Sequence, residues 1–328
     1  MRYIAYYFLI FCIILSCSKD KETIDVPNPM EVEGRILYSS NEKGHNELYR
    51  YEDGQQILIL SDENFDYWWP KASPDKSKML VYRSPVDPDK NHDNYPEADL
   101  LLMNIDGTNP QVLIPKGKYG WSAQGVCRWN KDGTKILMAS EQNTDSGNQW
   151  RMVITDNQGN NPKNLSDRWI IDPNFSIDNS AVVFIGFPDN NLSFDLAKLE
   201  LHKADYDSVN DTIFDIRRLT ENNTRDHDPS YSPDGSKIIF SAGNAEYTNV
   251  DLTIFDENLG TETDLLDDSA ANGGSMCWSF DGKEIYFHSL NLTQHPFQIK
   301  SIEVSSKAVT TLLKSASEDF SFFHPESY

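Results

Sequence analysis

The chain has 328 residues and a formal net charge of −22 at pH 7. A surface this acidic excludes nucleic acid, and it excludes binding of anionic lipid headgroups through a basic face. The length alone would accommodate about two domains, but a repeat from residue 34 onward joins 34–328 into one closed unit.

Residues 1–16 have a basic start at Arg2 and an apolar run from Tyr3 to Leu15, the pattern of a secretory signal and short for a bilayer span. The run ends in Ile14-Leu15-Ser16-Cys17, which resembles a bacterial lipobox. That resemblance implies lipidation of Cys17, so that acyl chains alone hold the protein to a membrane. The following Ser18-Lys19-Asp20-Lys21-Glu22 resembles the charged export tether of Bacteroidetes lipoproteins and implies an outer-membrane address, periplasmic or surface-exposed. Residues 17–33, with Pro27, Pro29 and many charges, read as a flexible tether.

The first strands are predicted at Arg35–Ser40, Glu47–Tyr51 and Gln56–Leu60. Five copies of one short pattern follow: Ala72-Ser73-Pro74-Asp75, Trp129-Asn130-Lys131-Asp132-Gly133, Phe175-Ser176-Ile177-Asp178, Tyr231-Ser232-Pro233-Asp234-Gly235 and Trp278-Ser279-Phe280-Asp281-Gly282. Their aspartates are 57, 46, 56 and 47 residues apart. In the clearest copy, Pro229–Ser232 is a strand, Asp234-Gly235 a tight turn, and Lys237–Ser241, Asp251–Asp256 and Thr263–Leu266 complete a meander. The next copy repeats this order with Phe297–Ile302 and Val309–Leu313, and no segment is long enough for a crossover helix.

A four-stranded meander cannot bury both faces alone, so the units stack radially as an all-β, six-bladed β-propeller of four-stranded antiparallel blades. Phe322 to Tyr328 supplies the innermost strand that the three N-terminal strands lack, closing the ring with its register open by one residue. The aromatic three residues before four of the aspartates (Trp129, Phe175, Tyr231, Trp278) reads as core between blades. Cys127 and Cys277 fall on opposite blades, too far apart for a disulfide, and read as buried free thiols.

The Ser-Pro-Asp-Gly-x-Lys pattern resembles the WD40-like repeat of TolB-type six-bladed propellers, over residues 34–328. The resemblance implies a non-catalytic module that binds an envelope protein; a glycan is the other partner considered, and a monomer without cofactor is expected. Oligogalacturonate lyases are propellers with the same repeat and a histidine-rich metal site. Their His-x-His-Pro falls here on Asp226-His227-Asp228-Pro229, with aspartates in place of histidines. No Gly-x-Ser-x-Gly elbow supports peptidase chemistry.

Three groups are candidates for function. Arg225, Asp226, His227 and Asp228, with Asp172 and His324 at similar places in other blades, gather acids and imidazoles in loops at the channel mouth. They suit binding, or acid–base work in a polysaccharide lyase or hydrolase, and equally the capping of strand ends. Asp87, Asp89, Asn91 and Asp93 alternate oxygen ligands as in a calcium loop, although His92 replaces the glycine and Ala98 the closing glutamate. Trp68, Trp69, Trp121 and Trp169 precede innermost strands and are expected on one rim, with Trp69 the most core-like.

Overall fold

The computed structural model describes residues 35–87, 93–188, 195–222, 224–245, 250–266, 273–289, 298–314 and 322–328. The signal at 1–16, Cys17 and the tether at 17–33 lie outside them, as do Asp89 and Asn91. Among the described residues no helix is long and apolar enough to cross a membrane.

The described residues form six four-stranded antiparallel sheets. Blade I joins β24 (Phe322–Ser327) to β1 (Ile36–Ser40), β2 (Glu47–Glu52) and β3 (Gln55–Leu60). Blade II is β4 (Phe65–Ala72), β5 (Lys78–Pro85), β6 (Asp99–Asn104) and β7 (Gln111–Ile114). Blade III is β8 (Ala123–Trp129), β9 (Lys135–Thr144), β10 (Gly147–Asp156) and β11 (Lys163–Asn164). Blade IV is β12 (Ile170–Phe175), β13 (Ala181–Gly186), β14 (Glu200–Asp207) and β15 (Thr212–Arg218). Blade V is β16 (Arg225–Tyr231), β17 (Lys237–Gly243), β18 (Val250–Asp256) and β19 (Thr261–Asp264). Blade VI is β20 (Gly273–Trp278), β21 (Glu284–Ser289), β22 (Ile299–Glu303) and β23 (Val309–Leu313). The innermost strands β4, β8, β12, β16, β20 and β24 touch in that order around the ring.

Closure by the two ends is as the sequence predicts: β24 pairs antiparallel with β1, Ile36 opposite Ser327 and Ser40 opposite Phe322. On the face that carries the Asp-Gly turns, β24 and β1 have no such hairpin between them. There the Lys76 ammonium of blade II lies 4.4 Å from the ring centre of Phe280 in blade VI.

The turns work through the aspartate. Ser73, Ser176, Ser232 and Ser279 donate to the aspartate two residues on, at 2.6, 2.8, 2.7 and 2.8 Å. The residue after it is left-handed: Lys76, Gly133, Asn179, Gly235 and Gly282 have φ from 57° to 73°, which glycine adopts at least cost. Hydrogen bonds hold three of these aspartates down at about 2, chiefly from Ser180 to Asp178, from Ser232 to Asp234 and from Lys283 to Asp281.

The core sits in the seams between blades, since each sheet buries its faces only against its neighbours. Phe175 packs with Leu137 and Met152 of blade III, Tyr231 with Val183 and Ile185 of blade IV, and Trp278 with Ile239 and Leu252 of blade V. Trp129 joins the blade II residues Leu80 and Tyr82. Two of these indoles also donate across their seam, Trp129 Nε1 to Lys71 O at 3.2 Å and Trp278 Nε1 to Ser230 O at 3.1 Å. Cys127 and Cys277 are buried free thiols, pushed up to about 11 and about 12 by burial.

One boundary differs from the sequence reading. Arg225–Asp228 belongs to β16 and not to the loop before it, because Arg225, Asp226 and His227 pair in register with Gly243, Ala242 and Ser241.

Candidate functional site

Every innermost strand carries a bulge, and every bulge holds one non-glycine residue in the left-handed region. These are Trp69 (φ 53), Val126 (φ 50), Asp172 (φ 50), Asp228 (φ 54), Ser275 (φ 29) and His324 (φ 52). The first five each lie six residues before a turn aspartate. His324 occupies the same place in β24, which settles the register of the last strand. Such backbone costs on the order of 1–3 kcal/mol per residue and collects at functional sites. A bulge also breaks the alternation of side chains and re-aims them.

The six bulges lie on the six innermost strands, and side chains at and beside five of them meet across neighbouring blades. On blades IV and V, His227 Nδ1 lies 2.9 Å from Asp172 Oδ2, and Asp228 N donates to the same oxygen at 3.2 Å. Ser275 Oγ of blade VI donates to Asp228 Oδ2 at 3.4 Å. On blades I and II, the ring of His324 stacks on Trp69 at 4.5 Å. Arg225 Nε donates to His227 Nε2 at 3.0 Å. A guanidinium only donates, so Nε2 accepts and the His227 proton sits on Nδ1, donated to Asp172.

Asp228 keeps a little surface in the channel, yet protein surrounds it. Burial, followed by the charge of Asp172, pushes it up to about 6, against the opposing pull of His227, Arg128 and His324.

Asp93 and Tyr95, from the segment before β6, reach this ring. Asp93 Oδ2 accepts from Trp69 Nε1 at 2.6 Å and from Tyr95 OH at 3.0 Å, and lies 3.3 Å from His324 Nε2. Tyr95 meets the edge of Trp68 at 5.2 Å and covers Gly125, where a Cβ would come within 2.4 Å of its ring. Burial, then Asp93, Asp172 and Asp228, pushes its hydroxyl well above the usual range.

A second layer lies four residues before the turn aspartates: Lys71, Arg128, Asn174, Ser230 and Cys277, with Glu326 in the matching place on β24. Lys71 Nζ pairs with Glu326 Oε2 at 2.6 Å, Asn174 Nδ2 donates to Pro229 O at 3.1 Å, and Ser327 N donates to Cys277 Sγ at 3.2 Å. The Lys71 and Arg128 cations lie 5.5 and 5.6 Å from the centre of Trp69.

Several candidate residues stand elsewhere than the sequence reading puts them. Asp226 is not at the channel mouth. It is fully buried in the seam between blades IV and V, accepting from Thr220 Oγ1 at 2.7 Å, Thr224 Oγ1 at 2.8 Å and Leu201 N at 3.2 Å, and burial pushes it up to about 7. It takes the capping role. Trp68 and Trp69 are both core residues, as the sequence reading has it for Trp69: Trp68 is fully buried, stacked on Tyr82 at 4.8 Å with Nε1 donating to Ser84 Oγ, and Trp69 is 4% exposed in the same cluster. Trp69 sits in the bulge of β4, between the His324 ring and the Asp93 carboxylate.

The tryptophans do not form one rim cluster. Trp121 tilts against Tyr119 at 5.0 Å and Trp169 against Phe187 at 4.9 Å, each half-buried at a different seam. Asp172, Arg225, His227, Asp228, His324 and Trp69 do come together. Of the acidic insertion, Asp93 is engaged as described and Asp87 donates its backbone N–H to Asp66. Among the described residues no group of three or more His, Cys, Asp or Glu is arranged to hold a metal ion.

Lys71, Tyr95, Arg128, Ser275 and Glu326 were not singled out from sequence. For all but Tyr95 the signal was there, as a fixed offset of six or four residues from the repeat's aspartate.

No protein-family model and no curated protein sequence matches this chain. Solved structures with the same fold include TolB from Acinetobacter baumannii, with a TM-score of 0.65, 17% identity, and coverage of 88% of this chain and 66% of that one. A putative TolB from Agrobacterium tumefaciens has a TM-score of 0.59 at 15% identity, covering 86% of this chain and 89% of that one. An oligogalacturonate lyase from Vibrio parahaemolyticus has a TM-score of 0.55 at 13% identity, covering 86% and 75%. At these identities the likeness is one of fold. The chain spans just under two thirds of the Acinetobacter protein.

Proposed function

We propose that the chain is a non-catalytic binding propeller of the cell envelope, tethered by lipid on Cys17, that receives a partner at the channel mouth opposite the Asp-Gly turns. The partner is an envelope protein in preference to a glycan. The observation that carries this reading is the pairing within the ring: His227 is oriented between Arg225 and Asp172, and Asp93 between Trp69, Tyr95 and His324. Side chains locked to one another form a preorganised recognition surface. Both solved TolB structures share this fold, which supports a protein partner by analogy only.

The competing reading is a polysaccharide lyase or hydrolase using Asp226, His227, Asp228 and His324. It loses Asp226 to the interior. The net charge of −22 and the acidic wall of Asp172 and Asp228 also disfavour a polyuronate chain. Affinity capture from envelope extract, with wild type and His227→Ala compared, tests the binding reading. Stoichiometric metal and turnover of acidic oligosaccharides, both lost in His227→Ala, would overturn it. Calcium at Asp87, Asp89, Asn91 and Asp93 is a separate proposal, checked by a calcium-dependent rise in Tm.

A further inference from the structure

The second layer of the channel is asymmetric in its charges. Lys71 has a counter-ion in Glu326. Arg128, in the next blade, forms no ion pair with any described carboxylate. Its side chain is held in place, with Nη1 donating to Cys127 O at 2.9 Å and the guanidinium 5.6 Å from the centre of Trp69. That hydrogen bond uses one of five N–H groups, and the residue is only 9% exposed. It stands on the innermost strand β8, and its charge acts on Asp228 of blade V and Cys277 of blade VI.

A guanidinium keeps its charge at any working pH. Burying it without a counter-ion is strongly unfavourable, and a planar anion that meets its fork removes that penalty.

We propose that Arg128 is the floor of a subsite for a single ligand carboxylate, the C-terminal group of a peptide. The charge pattern selects one carboxylate. Across the ring stand Asp172, Asp228 and Ser275, which would repel a second negative group and accept hydrogen bonds from peptide N–H groups. A uronic-acid polymer carries a carboxylate on every sugar and sets its second charge against that wall. Trp69 offers no sugar platform, since His324 stacks on it and Asp93 holds its indole N–H. The subsite rests on the binding-module reading above and specifies the end of the partner it takes.

The test uses the intact protein and two pools of random hexapeptides, one with free C-termini and one amidated, with tryptophan fluorescence and calorimetry as readouts. The free-acid pool is expected to bind roughly tenfold or more tighter than the amidated pool, as loss of a charge-assisted hydrogen-bond pair requires. Arg128→Met is expected to abolish that preference while keeping the circular dichroism of the wild type, and Arg128→Gln serves where Met does not fold.

Equal binding of the two pools, binding of neither, or a preference that survives both substitutions overturns the subsite. Tighter binding of oligogalacturonate through Arg128 also overturns it. Capture of an envelope protein unaffected by Arg128→Met sinks the subsite and leaves the binding reading. Free-acid preference with no envelope partner does the reverse.

Discussion

Asp226 and Asp228 stand two residues apart on one strand, where regular pleating would place them on one face, yet they face different surroundings. Asp226 is sealed in the seam against Thr220 and Leu201, while Asp228 lines the channel beside Asp172 and Ser275. The bulge between His227 and Ser230 separates them. One carboxylate is thereby sealed in the seam and the other set beside Asp172 and Ser275.

Both carboxyls are raised above the ordinary aspartate value, Asp226 to about 7 and Asp228 to about 6. The folded state therefore binds these protons more tightly than the unfolded chain. The stability they confer is fully present below about pH 4 and is lost as pH rises through 6 to 7. Asp226→Asn keeps the shape and removes the charge, so it is expected to flatten the decline between pH 4 and 8. At pH 8 it should stabilise by roughly 2–4 kcal/mol. Urea midpoints across that pH range are the measurement, and an unchanged slope would count against the buried proton.

The cross-seam indole bonds are separable from packing. Trp278→Phe leaves Ser230 O without its donor and is expected to cost about 1 kcal/mol. Trp278→Ala should cost about 3–5 kcal/mol by emptying the seam. Chemical denaturation of the two variants distinguishes the two contributions.

Gly125 is needed because Tyr95 lies on it. Gly125→Ala drives a Cβ into the Tyr95 ring and is expected to cost about 1–3 kcal/mol. It should also shift tryptophan fluorescence as Asp93 leaves Trp69. The double variant with Tyr95→Ala should be less unstable than the sum of the two singles, which a double-mutant cycle measures.

At the turns, Asp234→Ala removes the acceptor for Ser232 Oγ, Ser236 N and Ser236 Oγ. A loss of about 1 kcal/mol is expected at neutral pH. Because Asp234 is held down at about 2, its contribution is present above pH 4 and lost as pH falls through 2. The variant and wild type should therefore converge in Tm at low pH, a comparison open to scanning calorimetry.

The fold was legible because it is written locally and repeatedly. A Ser-x-Asp-Gly turn followed by a β-branched strand carries its meaning within ten residues, and its recurrence gives the blade count. The aromatics before Asp132, Asp178, Asp234 and Asp281 point to the seams for the same reason. Even the closure by Phe322–Tyr328 follows from counting strands.

The site was legible only in part. Asp172, Asp228 and His324 share a visible offset, but whether a residue faces seam or channel is decided by a bulge, and a bulge leaves no composition signal at Trp69, Val126 or Ser275. Trp68 thus reads as a rim residue although it is fully buried, and Asp226 reads together with its neighbours although it faces the seam. Tyr95 and Asp93 enter the ring from an insertion 20 to 30 residues after their blade begins, a distance no periodicity describes.

The sequence by itself determined six blades, their order and their closure, since short-range turn chemistry and strand propensity suffice for those. Tertiary structure alone decided which polar side chains share the channel. That depends on six left-handed residues brought into one ring by blades 46 to 57 residues apart. It also decided that Arg128 is buried on β8 with no ion pair among the described carboxylates.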